Sequence, residues 1–459
     1  MVQFKLGVCV CLAMLVSVGA CSAQVIGDYS RLWPEKKFPP FSYADALAFD
    51  GDIAVVGCPV VSLSDTVPGN AYAFDMTTAE QLYRLEPENG HPDDRFGRSV
   101  AMGDGLVAVG AVGDDDIDYF AGAAYVFDAQ TGQQLYKLYG SDIERNDLFG
   151  IAVEVGEGVI AVGTQRDDSS GISSGAVYLF DADTGDQIRK LIPDPSSPQD
   201  HFGYSLAIHD GLLIIGAPAL SGINPSGYPD PGSVYVFDLH TGQRLHMIVP
   251  DDGEDRDNFG YSVAIDDDYL VIGAYFKLRL ANYDVDGAVY VYERDTWSFL
   301  GKCHPKDHLD RLDEYLGVTV AVGDGIIVAG ATGLSDLGRS AGGAVVFDAG
   351  TRQEIARLLP TDGAIDEAAA GRSLAMHAKT ILMGSHLSVS APGNRGGAYL
   401  FKMPCTADTN LDGTVDHTDY TAWLIAFFAG SYQCDQNNDG VCTPSDFTAW
   451  IANFNAGCD

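Results

Sequence analysis

Basic residues are scarce in this chain. Its 459 residues carry 27 Lys and Arg against 64 Asp and Glu, a formal net charge of -37. A surface so acidic repels a phosphate backbone instead of neutralising it, which argues against nucleic acid and anionic membranes as partners. Divalent cations are its natural company. Long apolar runs are missing after the N-terminus, so nothing there is suited to span a bilayer. Cysteine is thin across the body of the chain, where only Cys58 and Cys303 lie between Cys21 and Cys405. The hydrophobic content of 46% still allows a sizeable core, and 53 glycines suit many turns between short strands better than long helices.

The N-terminus reads as an export signal over residues 1–23. Lys5 is the only charge before Asp28, Leu6 to Val18 is apolar, and small residues follow. Cleavage after Ala23 would release a chain beginning at Gln24. Val18-Gly19-Ala20-Cys21 also has the form of a lipobox, which would make Cys21 a lipidated N-terminus.

Internal repetition is the strongest signal. Phe96-Gly97, Phe149-Gly150, Phe202-Gly203 and Phe259-Gly260 each open a strand-like segment. A polar turn follows, then an apolar run ending in Gly-Ala such as Leu212–Ala217, then a variable loop, then a strand such as Gly175–Asp181, and a closing strand such as Gln134–Leu138. Weaker marks at Tyr43, Leu316 and Ala370 complete a series spaced 53 to 57 residues apart. Seven four-stranded units of this size match the blades of a β-propeller, each hiding its faces against its neighbours. The seventh unit lacks a fourth strand. Ser30-Arg-Leu-Trp-Pro34 resembles the closing strands elsewhere, such as Ala356-Arg-Leu-Leu-Pro360, and is expected to complete it. The fold class is therefore all-β, a seven-bladed propeller over residues 29–403 closed by an N-terminal strand.

Asp-x-x-Thr-Gly segments at Asp128, Asp181 and Asp238 read as hairpin turns. Asp94, Asp147, Asp200 and Asp257, two residues before the Phe marks, read as loop pins and not as catalytic groups. Strand alternation sends the first–second and third–fourth connections to one face and the long second–third and fourth–first connections to the other. The long loops carry Asp114, Asp115, Asp116, Asp118, Asp167, Asp168, Asp230, Asp284 and Asp286. That face is the expected ligand face, for extracellular protein or glycan. Asn282-Tyr-Asp284-Val-Asp286-Gly287 mimics the start of a calcium loop, but Gly287 aligns with the strand-opening glycine of every blade.

Residues 29–403 resemble FG-GAP repeats, the units of the integrin α-chain propeller, through the Phe-Gly mark and through Gly216-Ala217-Pro218. Integrin-type blades carry an Asp-x-Asp-x-Asp-Gly calcium loop between their first two strands. Here that connection is a bare turn such as Gly103-Asp104-Gly105, so the resemblance implies no such site in the propeller.

Residues 405–459 hold two copies of one pattern: Asp408, Asn410, Asp412, Thr414, Asp416 and Asp419, then Asp435, Asn437, Asp439, Val441, Thr443 and Asp446. Oxygens at positions 1, 3, 5, 7, 9 and 12 around a glycine at 6 are what a Ca2+ ion requires, with Thr414 and Val441 giving backbone carbonyls. Two Ca2+ ions are expected in a small α-helical, double EF-hand-like module. Behind each loop, Tyr420, Trp423, Leu424 and Phe427, and Phe447, Trp450, Ile451 and Phe454, follow helical spacing and read as a shared core. The four tail cysteines are expected to pair, Cys405 with Cys458 at roughly 4 kcal/mol of loop entropy, leaving Cys434 with Cys442. The tail resembles a dockerin of the type ending in Gly-Cys. That implies an anchoring or sorting role through a cohesin-like or cell-envelope partner. Pro444 departs from the usual recognition pair.

Sialidase-type Asp boxes and a Gly-x-Ser-x-Gly elbow are absent, and the ten histidines show no ligand spacing. The expected function is therefore recognition or adhesion by a secreted or surface-held chain. An extracellular carbohydrate-active enzyme or a purely structural envelope component are the alternatives.

Overall fold

The computed structural model describes residues 24–26, 29–32, 43–59, 68–220, 230–279, 284–305, 314–337, 340–360, 368–385, 397–403, 417–429, 443–444 and 447–451. Seven antiparallel sheets follow one another along the chain. Blade 2 is typical, with strands Phe96–Gly103, Leu106–Ala111, Ala123–Asp128 and Gln134–Leu138. Blades 1, 3, 4, 5 and 6 repeat it with first strands at Ala46–Asp50, Phe149–Gly156, Ser205–His209, Phe259–Ile265 and Leu316–Gly323. Blade 7 contributes Ala370–His377, Thr380–Ser385 and Gly397–Lys402, and Tyr29–Leu32 adds its fourth strand. Each first strand packs against that of the next blade, and that of blade 7 against that of blade 1, so the ring is closed.

The blades need each other because their middle strands are apolar on both sides. In Ala176–Asp181, Tyr178 and Phe180 enter the core shared with blade 2, whereas Val177 and Leu179 enter the core shared with blade 4. Both repeat marks act at these seams. At six seams the glycine near the end of the second strand faces the glycine of the next blade's mark so closely that a Cβ on Gly110 would collide with the Gly150 carbonyl, and where the ring closes Gly384 faces Ala44. The Phe ring packs edge-on against an aromatic of its own third strand, Phe96 on Tyr125 at 5.4 Å and Phe259 on Tyr290 at 5.1 Å. Serine hydroxyls lace the seams as well: Ser99 Oγ donates to Gly150 O at 2.8 Å, and Ser373 Oγ to Ala44 O at 2.8 Å where the ring closes.

The Asp-x-x-Thr-Gly turns form as expected. Asp128 Oδ1 accepts from Thr131 N and Thr131 Oγ1, both at 2.7 Å, and Asp238 repeats this with Thr241. Tyr83 and Tyr136 on fourth strands donate their hydroxyls to Ala129 O and Asp183 O in the corresponding turns of the following blades, clasping the outer rim.

One strand from outside the repeat joins a blade. Gln24–Ile26 runs parallel along Glu354–Leu358 and gives blade 6 a fifth strand. It covers an outer edge that would otherwise present unpaired backbone groups.

Toward the C-terminus, His417–Ala429 is helical and residues 447–451 form a second short helical segment. Trp423 and Trp450 are buried in one cluster with Leu424, Phe427 and Phe447. The Trp423 and Phe447 rings lie 5.2 Å apart. These five side chains form a shared core, as their spacing predicts, whereas Tyr420 and Ile451 of the expected set are exposed and Phe454 lies outside the described residues.

Candidate ligand face and axial cavity

Second–third and fourth–first connections emerge on one face, and most of their aspartates are engaged within the loops. Asp94, Asp147, Asp200 and Asp257 each accept the backbone N–H three residues earlier, from His91, Glu144, Ser197 and Glu254, at 2.6–2.8 Å. They are loop pins, as expected. Burial pushes Asp94 and Asp147 up to about 6 and Asp200 up to about 7, against the pull of those bonds.

Several aspartates expected on the ligand face turn inward. Asp114 is buried, accepts the Tyr125 hydroxyl at 2.8 Å and pairs with Lys137 at 2.7 Å. Asp167 is held in the same way by Tyr178 and Lys190. Lys137 also holds Asp116 at 2.6 Å. Asp118 accepts from Tyr119 N, Asp168 from Ser173 N and Asp230 from Gly232 N. Asp284 belongs to a small hairpin with Leu278–Arg279. Gly287 opens a strand at φ +74 and bridges Leu316 of the next blade, which is its structural job. The exposed His91, Asp115 and Asp116 are close enough together to share a cation.

Beside these charged groups the long loops also expose apolar and aromatic side chains. Ile117, Tyr119 and Ile172 are 55%, 52% and 68% exposed. Arg145 lies over the Tyr119 ring at 5.1 Å and Arg95 over Phe120 at 4.9 Å. Another aromatic run leads inward, with Phe276 to Tyr275 at 5.8 Å, Tyr275 to Tyr261 at 4.3 Å and Tyr261 to Tyr204 at 4.8 Å.

That run ends in a cavity of about 110 Å³ lined by one residue from each blade: Asp45, Arg98, Ile151, Tyr204, Tyr261, Val318 and Arg372. All seven stand two residues beyond the repeat mark. Five first strands slip register there, as between Phe96 and Ser99 or Ala370 and Ser373. Such a bulge releases a residue from the ladder and re-aims its side chain, here to the axis. First strands begin at the long-loop face, so the cavity lies at that end of the axis. Sequence reasoning missed this ring because its residue types share nothing; the signal was their constant distance from the mark.

Of the residues expected to bind calcium, Asp408, Asn410, Asp412, Thr414, Asp416, Asp435, Asn437, Asp439, Val441 and Asp446 lie outside the described residues, as do all four tail cysteines and residues 1–23. Asp419 falls in the helix His417–Ala429, and Thr443 lies just before the second helical segment. Among the described residues no helix is long and apolar enough to cross a membrane.

The FG-GAP repeat family matches residues 80–127, 133–180, 186–237 and 245–292. No curated protein matches the chain. Among solved structures, that of the computationally designed Ika8 protein is similar over 79% of this chain and 97% of its own, at 16% identity and a TM-score of 0.47, a likeness too loose to bear on function. The sheet order and the seam-forming marks make the chain a seven-bladed β-propeller, and four stretches between residues 80 and 292 match the FG-GAP repeat.

Proposed function

We propose that this chain is an exported recognition protein whose long-loop face binds an extracellular protein or glycan. The observation that carries this reading is the exposure of Ile117, Tyr119 and Ile172 on the second–third loops of two successive blades, at the end of the propeller that holds the axial cavity, since large apolar side chains left uncovered on a rigid scaffold mark interaction sites. FG-GAP propellers are typically binding folds and often bind proteins, which agrees with it.

The tail is the attachment device in this reading. Its donor set is all oxygen, from carboxylates, amides and carbonyls, which fits a hard cation such as Ca2+. Asp408, Asn410, Asp412, Thr414, Asp416 and Asp419 would hold one ion, and Asp435, Asn437, Asp439, Val441, Thr443 and Asp446 the second. Bound ions would order the two loops and present a dockerin-like surface to a cohesin-like or envelope anchor. Residues 1–23 would direct export.

Affinity capture from extracellular protein and glycan libraries tests the reading, with full-length chain and with a Tyr119→Ala/Ile172→Ser variant. Capture that weakens in the variant supports the face. Chelator should release the anchor but not the ligand of the face. Capture indifferent to both changes would refute the assignment.

A further inference from the structure

The axial cavity has two unlike halves. Blades 7, 1 and 2 supply Arg372, Asp45 and Arg98, whereas blades 3 to 6 supply Ile151, Tyr204, Tyr261 and Val318. In the charged half two guanidiniums share one carboxylate. Arg372 donates from Nε to Asp45 Oδ1 at 3.2 Å, while Arg98 Nη1 stands 3.9 Å from Asp45 Oδ2, beyond hydrogen-bond reach. Among the described residues, no guanidinium nitrogen of Arg98 and neither Nη of Arg372 has a hydrogen-bond acceptor. A guanidinium carries five N–H donors in a fixed fork, so most of this donor capacity is unspent. Both arginines keep access to solvent, at 30% and 40% exposure of the side chain, whereas Asp45 is at 9%.

The surplus is positive in a chain of net charge -37. A cation has no place beside two guanidiniums; an oxygen acceptor does. Charge elsewhere on the molecule is screened over about 8 Å at physiological salt, so contact with the two arginines decides. Opposite them, Tyr204 and Tyr261 offer tilted rings 4.8 Å apart, flanked by two aliphatic side chains.

We propose that the axial cavity is a receptor for one carboxylate group borne on a compact, stackable body. Arg98 and Arg372 take the carboxylate with the donors that Asp45 leaves over, and Tyr204 and Tyr261 take the body. This deepens the reading of the long-loop face as the ligand face, and its chemistry is testable separately.

The experiment is calorimetric titration and thermal melting of the full chain with acetate, benzoate and glucuronate. Benzamide and glucose serve as neutral counterparts, and ionic strength is matched with sodium chloride. Benzoate or glucuronate should bind saturably, at least about tenfold more tightly than its neutral counterpart, as a charge-assisted bond pair requires. Acetate, lacking the body, should bind more weakly. Preference for benzoate identifies an aromatic acid and preference for glucuronate an acidic sugar. Arg98→Gln and Arg372→Gln should each weaken binding about tenfold. Asp45→Asn removes the competing carboxylate, so added carboxylate should bind it more tightly and raise its melting temperature more than that of the unmodified chain.

If carboxylates shift melting no more than chloride does, in both the unmodified chain and Asp45→Asn, the proposal falls and the trio is only a clasp across blades 7, 1 and 2. Macromolecular capture that persists without carboxylate binding overturns the receptor and leaves the face reading intact. Carboxylate binding without capture supports the receptor and removes the face reading.

Discussion

Leu32 pairs with Ala398 in antiparallel register, so the two ends of the repeat region meet in a single sheet. Leu32 is fully buried, and the Tyr43 hydroxyl donates to its carbonyl at 3.1 Å. The ring is closed by hydrogen bonds and packing at this point, not by chain continuity. Leu32→Ala is expected to cost about 2–5 kcal/mol, and Tyr43→Phe about 1 kcal/mol. Urea denaturation measures both; an unchanged midpoint for Leu32→Ala would show that the ring does not depend on this strand.

Two glycines separate the demands of a seam from those of a turn. Gly97 has φ +95, and a Cβ there would meet Asn70 O and Cys58 N, whereas Gly105 has φ +75 and open space around it. Gly105→Ala should therefore cost about 1 kcal/mol, from backbone conformation alone. Gly97→Ala must also push two blades apart and should cost more than about 3 kcal/mol. Equal midpoints for the two variants would contradict the account of the Phe-Gly mark.

Glu154 occupies a first-strand position that is alanine in the six other blades: Ala48, Ala101, Ala207, Ala264, Ala321 and Ala375. Burial pushes its carboxyl up to about 8. A carboxyl raised in the folded state binds its proton more tightly there than in the unfolded chain. Stability is then fullest below the unfolded value and falls as pH rises through the folded one. Asp94, Asp147 and Asp200 act in the same direction. Asp75, Asp128 and Asp238 act oppositely: hydrogen bonds from Thr78, Thr131 and Thr241 hold them below the usual range, and their contribution is lost in stronger acid. The chain should melt highest between about pH 4 and 6. Glu154→Gln should gain on the order of 3 kcal/mol at about pH 8.5 and almost nothing at about pH 4.5. A gain independent of pH would refute the role given to Glu154.

Cys58 and Cys303 are buried free thiols. Burial pushes both up, Cys303 to about 12. The thiolate is the reactive form, so neither should be alkylated in the native chain at about pH 8, and both should label once guanidinium unfolds it. Peptide mapping after labelling decides, and native labelling at either position would contradict this packing.

The repeat, the blade count and the closing strand were legible because each seam needs the same small residues at the same spacing. Gly110 against Gly150 is a steric requirement, and such requirements survive in sequence as marks. The aspartates of the long loops were harder to place. Asp114 and Asp167 looked like ligand-facing charge, yet Lys137 and Lys190 on fourth strands draw them inward; the signal was the lysine recurring at one position of the closing strand. Gln24–Ile26 left no sign, because a parallel pairing with a distant strand has no turn to announce it. The axial ring left none in residue type, since a bulged residue facing a cavity is not constrained by the blade that carries it.

That last freedom has a consequence for change over time and by design. The mark and the seams fix where each axial side chain stands but not what it is. Seven single substitutions, one per vane and none in the apolar cores between vanes, would exchange the lining of the hub while the wheel stays whole. The molecule thus separates what keeps it assembled from what it selects, and the selective part is seven letters long.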